Sequence, residues 1–201
     1  MAYRSGTYIA FDGLGQTNPT LSDFKYYATM QAWDSHKNID FKYVDSHDKT
    51  CAVRDTSLRT TLESRIRERL SNSKNVVVIL SGDTRKSGSM LTYEVEQSVD
   101  RYDLPLIITY VDYRVVANPS SLSTYWPNAL NTRITNNSAK AIHIPFIKSA
   151  LLDAISQFSV NEQKQLSGSS NYYSEQAHRN FGAFQSVGLL GSIGSFVNTR
   201  K

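Results

Sequence analysis

The chain has 201 residues, of which 40% are hydrophobic and 20% are charged, and these proportions are typical of globular proteins. A chain of this size can bury a sizeable core without disulfides or metal ions. The formal net charge is only +4 and no long block of basic residues occurs, so we expect no nucleic-acid binding.

The single cysteine and the N-terminal sequence bear on the cellular compartment. Because Cys51 has no second cysteine to pair with, no intrachain disulfide can form, which favours a reducing compartment such as the cytoplasm. The first residues lack the apolar stretch of a signal peptide, and no run of about 18 apolar residues occurs anywhere. We therefore expect neither a cleaved leader nor a membrane-spanning helix.

The first predicted elements are a strand over Tyr8–Phe11, a glycine-containing loop, and a helix that Ser22 can cap. A second strand is predicted over Ile39–Val44, where polar and apolar residues alternate with period two. A polar loop over residues 45–55 then leads into an amphipathic helix over Thr56–Ser71, in which leucine or isoleucine recurs every four residues.

The second half of the series begins with Val76–Leu80, which is apolar throughout, as expected of a strand covered on both faces. A helix with an apolar stripe from Leu91 to Tyr102 follows. The remaining elements are a strand over Leu104–Val111, an irregular segment over 118–137, a strand over Ala141–Ile144 and a helix over 151–158. Alternating strands and helices predict an α/β fold, with a central parallel five-stranded sheet and helices on both faces.

The composition changes after residue 159, so we predict an α/β domain over 1–159 and a separate segment over 160–201. Residues 160–171 are polar and typical of a linker. An apolar, glycine-rich tail follows and would expose a large hydrophobic patch if it had no partner surface. Two interpretations stay open: the tail binds a neighbouring copy of the chain, or it folds back as a brace on its own domain.

Glu94 is the strongest candidate for a functional residue. It lies in the first turns of the helix that follows Val76–Leu80, and ligands of parallel α/β sheets bind outside the carboxyl ends of the strands. A carboxylate there can hold ribose hydroxyls and stabilise positive charge at an anomeric carbon. On spacing alone, the alternative is a solvated helix residue beside Glu96.

Other familiar motifs are incomplete. Gly13-x-Gly15 follows a strand, but Asn18 stands where a dinucleotide fingerprint needs its third glycine. No phosphate-binding GxxxxGK[ST] loop occurs, and the four histidines lack metal-ligand spacing. We therefore expect no bound metal or cofactor.

Several segments, in order, resemble TIR-like domains. Tyr8–Asp12 is similar to the first TIR strand, and Leu62–Ser81 is similar to the TIR stretch from a helix into a buried strand. Thr92–Val95 resembles the helix that carries the catalytic glutamate, and Leu104–Ile107 resembles the next strand. The resemblance covers about residues 6–158 and implies a flavodoxin-like, three-layer TIR-like fold. Met90 departs from it, because TIR domains often have tryptophan four residues before the glutamate.

The resemblance assigns roles to particular residues. It makes Glu94 catalytic and makes five residues candidates for substrate binding: Phe11, Asp12, Arg54, Ser81 and Tyr93. Phe11 and Tyr93 would supply aromatic surface, with core packing as the alternative for Phe11. Asp12 would hydrogen-bond ribose or cap the next loop. Arg54 would meet a pyrophosphate or lie in a solvated loop.

Within the superfamily, the chain looks most like the stand-alone TIR-like proteins of bacterial Thoeris antiphage defence. This implies an enzyme that consumes NAD as substrate and makes a cyclic ADP-ribose-type signal, which a separate effector reads. It also implies self-association and a phage-derived trigger protein. Two alternatives remain: a non-catalytic TIR interaction module, and an enzyme resembling nucleoside deoxyribosyltransferases.

Overall fold

The computed structural model describes residues 4–15, 20, 22–34, 43–44, 59–162 and 166–184. The strands are β1 (Gly6–Ala10), β2 (Tyr43–Val44), β3 (Ser73–Leu80), β4 (Leu106–Tyr110), β5 (Ala141–Pro145) and β6 (Asn171–Tyr172). The α-helices are α1 (Phe24–Asp34), α2 (Arg59–Asn72), α3 (Met90–Glu96), α4 (Asn128–Thr135), α5 (Lys148–Gln157) and α6 (Glu175–Asn180). The predicted α/β class is confirmed.

All strand pairs are parallel, and the strands lie in the order β2-β1-β3-β4-β5-β6. The five predicted strands are present, and β6 adds a sixth, two-residue strand beside β5. Strand β2 lies on one side of β1, and β3 and the later strands lie on the other side. The direction of winding therefore reverses between β1 and β3, which is where ligands bind in sheets of this kind.

The sheet separates two hydrophobic cores. Side chains that alternate along each strand point to opposite faces, so Val76, Val78 and Leu80 join one core while Val77 and Ile79 join the other. The first core lies under α2, α3 and α4, and the second lies under α1 and α5. Every residue of β1, β4 and β5 is buried, as expected of strands covered on both faces.

Asn75 connects the sheet to the end of α5. Its side-chain amide donates to the backbone oxygens of Ile155 and Phe158 at 3.0 and 2.8 Å, and its side-chain oxygen accepts from the hydroxyl of Thr7 at 2.7 Å. These bonds satisfy carbonyls that the last turn of a helix leaves without partners. A polar residue inside an apolar strand is thereby explained by structure and not by catalysis.

Two segments differ from the prediction. Residues 118–137, predicted to be irregular, contain a 3-10 helix over Pro119–Tyr125 and the helix α4. Half of α4 is asparagine or threonine, which are weak helix formers, so burial of Ala129, Leu130 and Ile134 stabilises it. The helix predicted through Tyr102 also changes form, because α3 ends at Glu96 and a π-helix continues over Gln97–Arg101.

Residues 171–180, which the composition placed in the linker and tail, form β6 and α6. The side-chain amide of Asn171 donates to the backbone oxygen of Ala141, and Ser174 caps α6 by accepting from the N–H of Ala177. The predicted division at residue 159 stays a prediction, since contacts within one chain do not test it. Most of the apolar tail, residues 185–201, lies outside the described residues.

Within the part of the chain that the structure describes, no helix has the length and apolarity needed to cross a membrane.

Candidate active site

Glu94 lies on the buried face of α3. Leu91 and Val95 pack into the first core, and residues three and four apart share one face of a helix, so the backbone carries Glu94 inward with them. Glu94 is only 3% exposed, whereas Glu96 is partly exposed. The interpretation of Glu94 as a solvated helix residue is therefore wrong.

The two oxygens of the Glu94 carboxyl differ in their hydrogen bonding to the described part of the chain. The hydroxyl of Tyr8, on β1, donates to Oε1 at 2.7 Å. Oε2 is buried and has no hydrogen-bond partner among the residues that the structure describes. Buried polar atoms are nearly always paired, so an unpaired carboxylate oxygen needs an explanation, and a catalytic role is one such explanation.

The surroundings raise the pKa of the Glu94 carboxyl from 4.5 to about 7. Burial is the main cause, since it disfavours the charged form, and the charge of Asp12 adds to it. The hydrogen bond from Tyr8 and the charge of Arg69 oppose the shift. Burial and the neighbouring carboxylate also raise the pKa of Tyr8 well above its usual value, so Tyr8 keeps its proton and acts as a donor.

Asp12 is the second residue after β1. It forms an ion pair with Arg85, which lies in the loop after β3. Both contacts are 2.8 Å: Nε of Arg85 donates to Oδ2 and Nη2 donates to Oδ1. The backbone N–H groups of Leu14 and Arg85 also donate to Asp12, each at 3.0 Å. Although burial raises the pKa of Asp12, these hydrogen bonds outweigh it and hold the pKa below its usual value.

Ser81 organises the loop after β3. Its backbone N–H donates to the hydroxyl of Thr84 at 2.9 Å, and its own hydroxyl accepts from the N–H of Asp83 at 3.1 Å. The Thr84 hydroxyl in turn donates to Asp23 at the start of α1, at 2.8 Å. Burial raises the pKa of Asp23, so this third carboxyl is also perturbed. The contacts connect the loops that follow β1 and β3.

The two aromatic candidates, Phe11 and Tyr93, each have partners of their own. Phe11 belongs to the second core, where its ring is 5.1 Å from that of Tyr27 and 5.8 Å from that of Phe24. Tyr93 packs against the first core, and its hydroxyl accepts from Nη1 of Arg67 at 2.6 Å. Core packing thus accounts for Phe11, and a contact with α2 accounts for Tyr93. Their predicted substrate contacts stay predictions.

The remaining candidate, Arg54, lies outside the described residues. Of the predicted site residues, the structure brings Glu94 and Asp12 within electrostatic reach of each other and places Ser81 at the end of β3.

Sequence reasoning missed Tyr8 and Arg85. The alternation of β1 gave a signal for Tyr8, since it points to the face opposite Ile9, but nothing in the sequence pairs Arg85 with Asp12. Among the described residues, no group of three or more histidine, cysteine, aspartate or glutamate side chains could hold a metal ion.

The fold defines a class of protein. A parallel sheet that reverses its winding between β1 and β3, with helices on both faces, is a flavodoxin-like arrangement and is consistent with a TIR-like domain. The family model described as "Thoeris protein ThsB, TIR-like domain" matches residues 8–115, which is more than half of the chain. The chain belongs to this ThsB TIR-like family.

Proposed function

We propose that the protein cleaves the bond between nicotinamide and ribose in NAD and forms a cyclic ADP-ribose-type signal in Thoeris defence. The observation that supports this most strongly is the Glu94 carboxyl, which is buried and accepts through Oε1 from Tyr8, while Oε2 has no partner among the described residues. Family membership supports a Thoeris-type TIR protein, and the activity itself is the proposal.

The chemistry needs one well-placed carboxylate. The nicotinamide of NAD is a cation, so it can take the electron pair of the breaking bond and leave as a neutral molecule without being protonated. Ordinary glycosidases need a second carboxyl as the acid for this step. Glu94 would stabilise the positive charge that develops on the ribose, and burial strengthens that interaction because little water competes with it.

The fate of the ribose carbon decides the product. A nucleophile within the same ADP-ribosyl group would attack the anomeric carbon and give a cyclic product, with its proton passing to the carboxylate or to water. Capture by water would give open ADP-ribose. Chromatography of NAD incubated with the protein, before and after phage challenge, separates these products. It also separates the proposed enzyme from the two other classes, because neither an interaction module nor a deoxyribosyltransferase-like enzyme would consume NAD.

The rate of NAD cleavage should depend on the protonation of Glu94. Because its pKa is about 7, a growing fraction of the carboxyl is neutral and inactive as the pH falls below that value. We expect kcat/KM, which reports the free enzyme, to fall roughly tenfold per pH unit below about pH 6 and to level off above about pH 8. A profile that is flat from pH 5 to pH 9, or that rises toward acid, would contradict a role for the ionised carboxylate.

We also propose that the protein self-associates in the cytoplasm, responds to a phage-derived trigger, and supplies its signal to a separate effector. If the tail contributes, removing residues 185–201 should lower the molecular mass measured by light scattering. The shortened chain should end at Phe184, because the described contacts of β6 and α6 lie before it. If both forms are monomers at micromolar concentration and the shorter one is merely less stable, the tail is an intramolecular brace.

A further inference from the structure

The ion pair between Asp12 and Arg85 spans the crevice where ligands of this fold class bind. Asp12 comes from the loop after β1 and Arg85 from the loop after β3, and the winding of the sheet reverses between these two strands. Ligands bind outside the carboxyl ends of the strands at such a reversal. The charge of Asp12 also acts on the Glu94 carboxyl and raises its pKa, so the pair lies within electrostatic range of the candidate carboxylate.

Asp12 has no acceptor capacity left. A carboxylate offers about four lone-pair positions, and here Oδ1 accepts from Leu14 and Arg85 while Oδ2 accepts twice from Arg85. A ribose hydroxyl could bind Asp12 only if one of these bonds broke. The saturated geometry points to a carboxylate that fixes the position of Arg85.

Arg85 is in the opposite situation. Its side chain is 44% exposed, whereas that of Asp12 is 1% exposed. Two of the five guanidinium N–H groups point to Asp12, and the other three have no hydrogen bond to the described residues. The neighbouring Lys86 is directed elsewhere, since its ammonium group contacts the backbone oxygens of Thr124 and Trp126. A guanidinium fixed on one edge and open on the other suits bidentate binding of phosphate oxygens.

We propose that Arg85 binds the pyrophosphate of the dinucleotide substrate and that Asp12 is its positioning residue. The assignment rests on the proposed function, because the dinucleotide is the substrate proposed there. It would place the anionic part of the substrate over the crevice between β1 and β3, with the ribose beside Glu94. An arginine held before the substrate arrives loses little side-chain freedom on binding.

Calorimetric titration of NAD, nicotinamide riboside and inorganic pyrophosphate tests the assignment in the Glu94→Gln background, in which NAD should stay intact. Nicotinamide riboside keeps the base and ribose of NAD but lacks the pyrophosphate. Adding Arg85→Gln should weaken binding of NAD and pyrophosphate by about tenfold or more and leave binding of nicotinamide riboside unchanged. Arg85→Lys should give an intermediate affinity for NAD, since it keeps the charge and loses the fork.

Two further variants separate binding from folding. Asp12→Asn should weaken NAD binding less than Arg85→Gln, because the cation remains but is no longer fixed. Arg101→Gln is the matched control: this exposed arginine precedes β4, at the opposite edge of the sheet, and should change no affinity. Equal losses for NAD and nicotinamide riboside in Arg85→Gln would show a purely structural ion pair and overturn the assignment.

The outcomes also distinguish the inference from the proposed function. If NAD binds and is cleaved but Arg85→Gln binds NAD and pyrophosphate normally, the function stands and the role of Arg85 is wrong. If NAD does not bind while pyrophosphate binds and is lost in Arg85→Gln, the anion site stands and the function is wrong. If neither NAD nor pyrophosphate binds, both are wrong.

Discussion

Replacing Glu94 with glutamine is expected to reduce NAD cleavage by at least about a hundredfold, the effect typical of removing one preorganised electrostatic group from an active site. Glutamine keeps the size of the side chain and an oxygen that can accept from Tyr8, so the 2.7 Å contact can persist. What disappears is the negative charge opposite the developing cation. Product formation, measured by chromatography under conditions where the wild-type protein is active, checks the expectation.

Glu96→Gln is the matched control, since it makes the same chemical change two residues further along α3. Glu96 is partly exposed and lies outside the buried face that carries Leu91, Glu94 and Val95. Its substitution should change the rate less than twofold. Wild-type turnover by a folded Glu94→Gln protein would remove Glu94 from the mechanism, and an equal loss in both variants would indicate a general disturbance of the helix.

The elements that the sequence predicted well are those whose signal is local. Val76–Leu80 is apolar throughout because β3 is covered on both faces, and the structure extends that strand back to Ser73. The three polar residues at its start gave no strand signal, although Asn75 is fully buried. Its burial depends on the end of α5 about 80 residues later, and no window of sequence contains that partner.

The elements that were missed depend on tertiary contacts. Helix α4 has weak intrinsic propensity, and β6 is too short to show any periodicity. The segment just before β6 is bound to the sheet by a hydrogen bond between Nε2 of His143, on β5, and the backbone oxygen of Ser169, at 2.9 Å. Burial lowers the pKa of His143 to about 4, so the imidazole is neutral and donates this bond. A scattered histidine in the sequence thus proves to be a paired core residue.

In the candidate site, too, the features with a local sequence signal were predicted and those set by tertiary contacts were missed. The order of the elements along the chain was enough to single out Glu94 and to place Asp12 and Ser81 after strands. The sequence could not show that Tyr8 reaches Glu94, because the two residues are 86 positions apart. Nor could it show that Arg85 occupies both oxygens of Asp12. Burial, which sets the pKa of Glu94, is a property of the packed structure alone.

Glu94→Gln is also expected to change the stability of the fold in a way that depends on pH. The pKa of Glu94 is about 7 in the folded chain and near 4.5 when the chain is unfolded. Between these values the folded state keeps a proton that the unfolded state loses, so ionisation of Glu94 lowers the stability of the wild-type protein as the pH rises through this window. The loss is fully developed above about pH 7 and amounts to about 3 kcal/mol, at about 1.4 kcal/mol per pKa unit.

Glutamine does not titrate, so this variant avoids that loss while all other titrating groups remain common to both proteins. The free energy of unfolding of Glu94→Gln, relative to wild type, should therefore rise by about 3 kcal/mol between pH 4.5 and pH 8. For a chain of this size the corresponding gain in Tm is about 6 to 12 °C. Thermal melts of both proteins across that range give the difference directly.

A gain in stability together with a loss of turnover would mean that the buried charge is kept for chemistry at the expense of the fold. If the difference in Tm between the two proteins stayed constant with pH, the pKa of Glu94 would be the same in the folded and unfolded chain. The conclusion that burial raises this pKa would then be wrong.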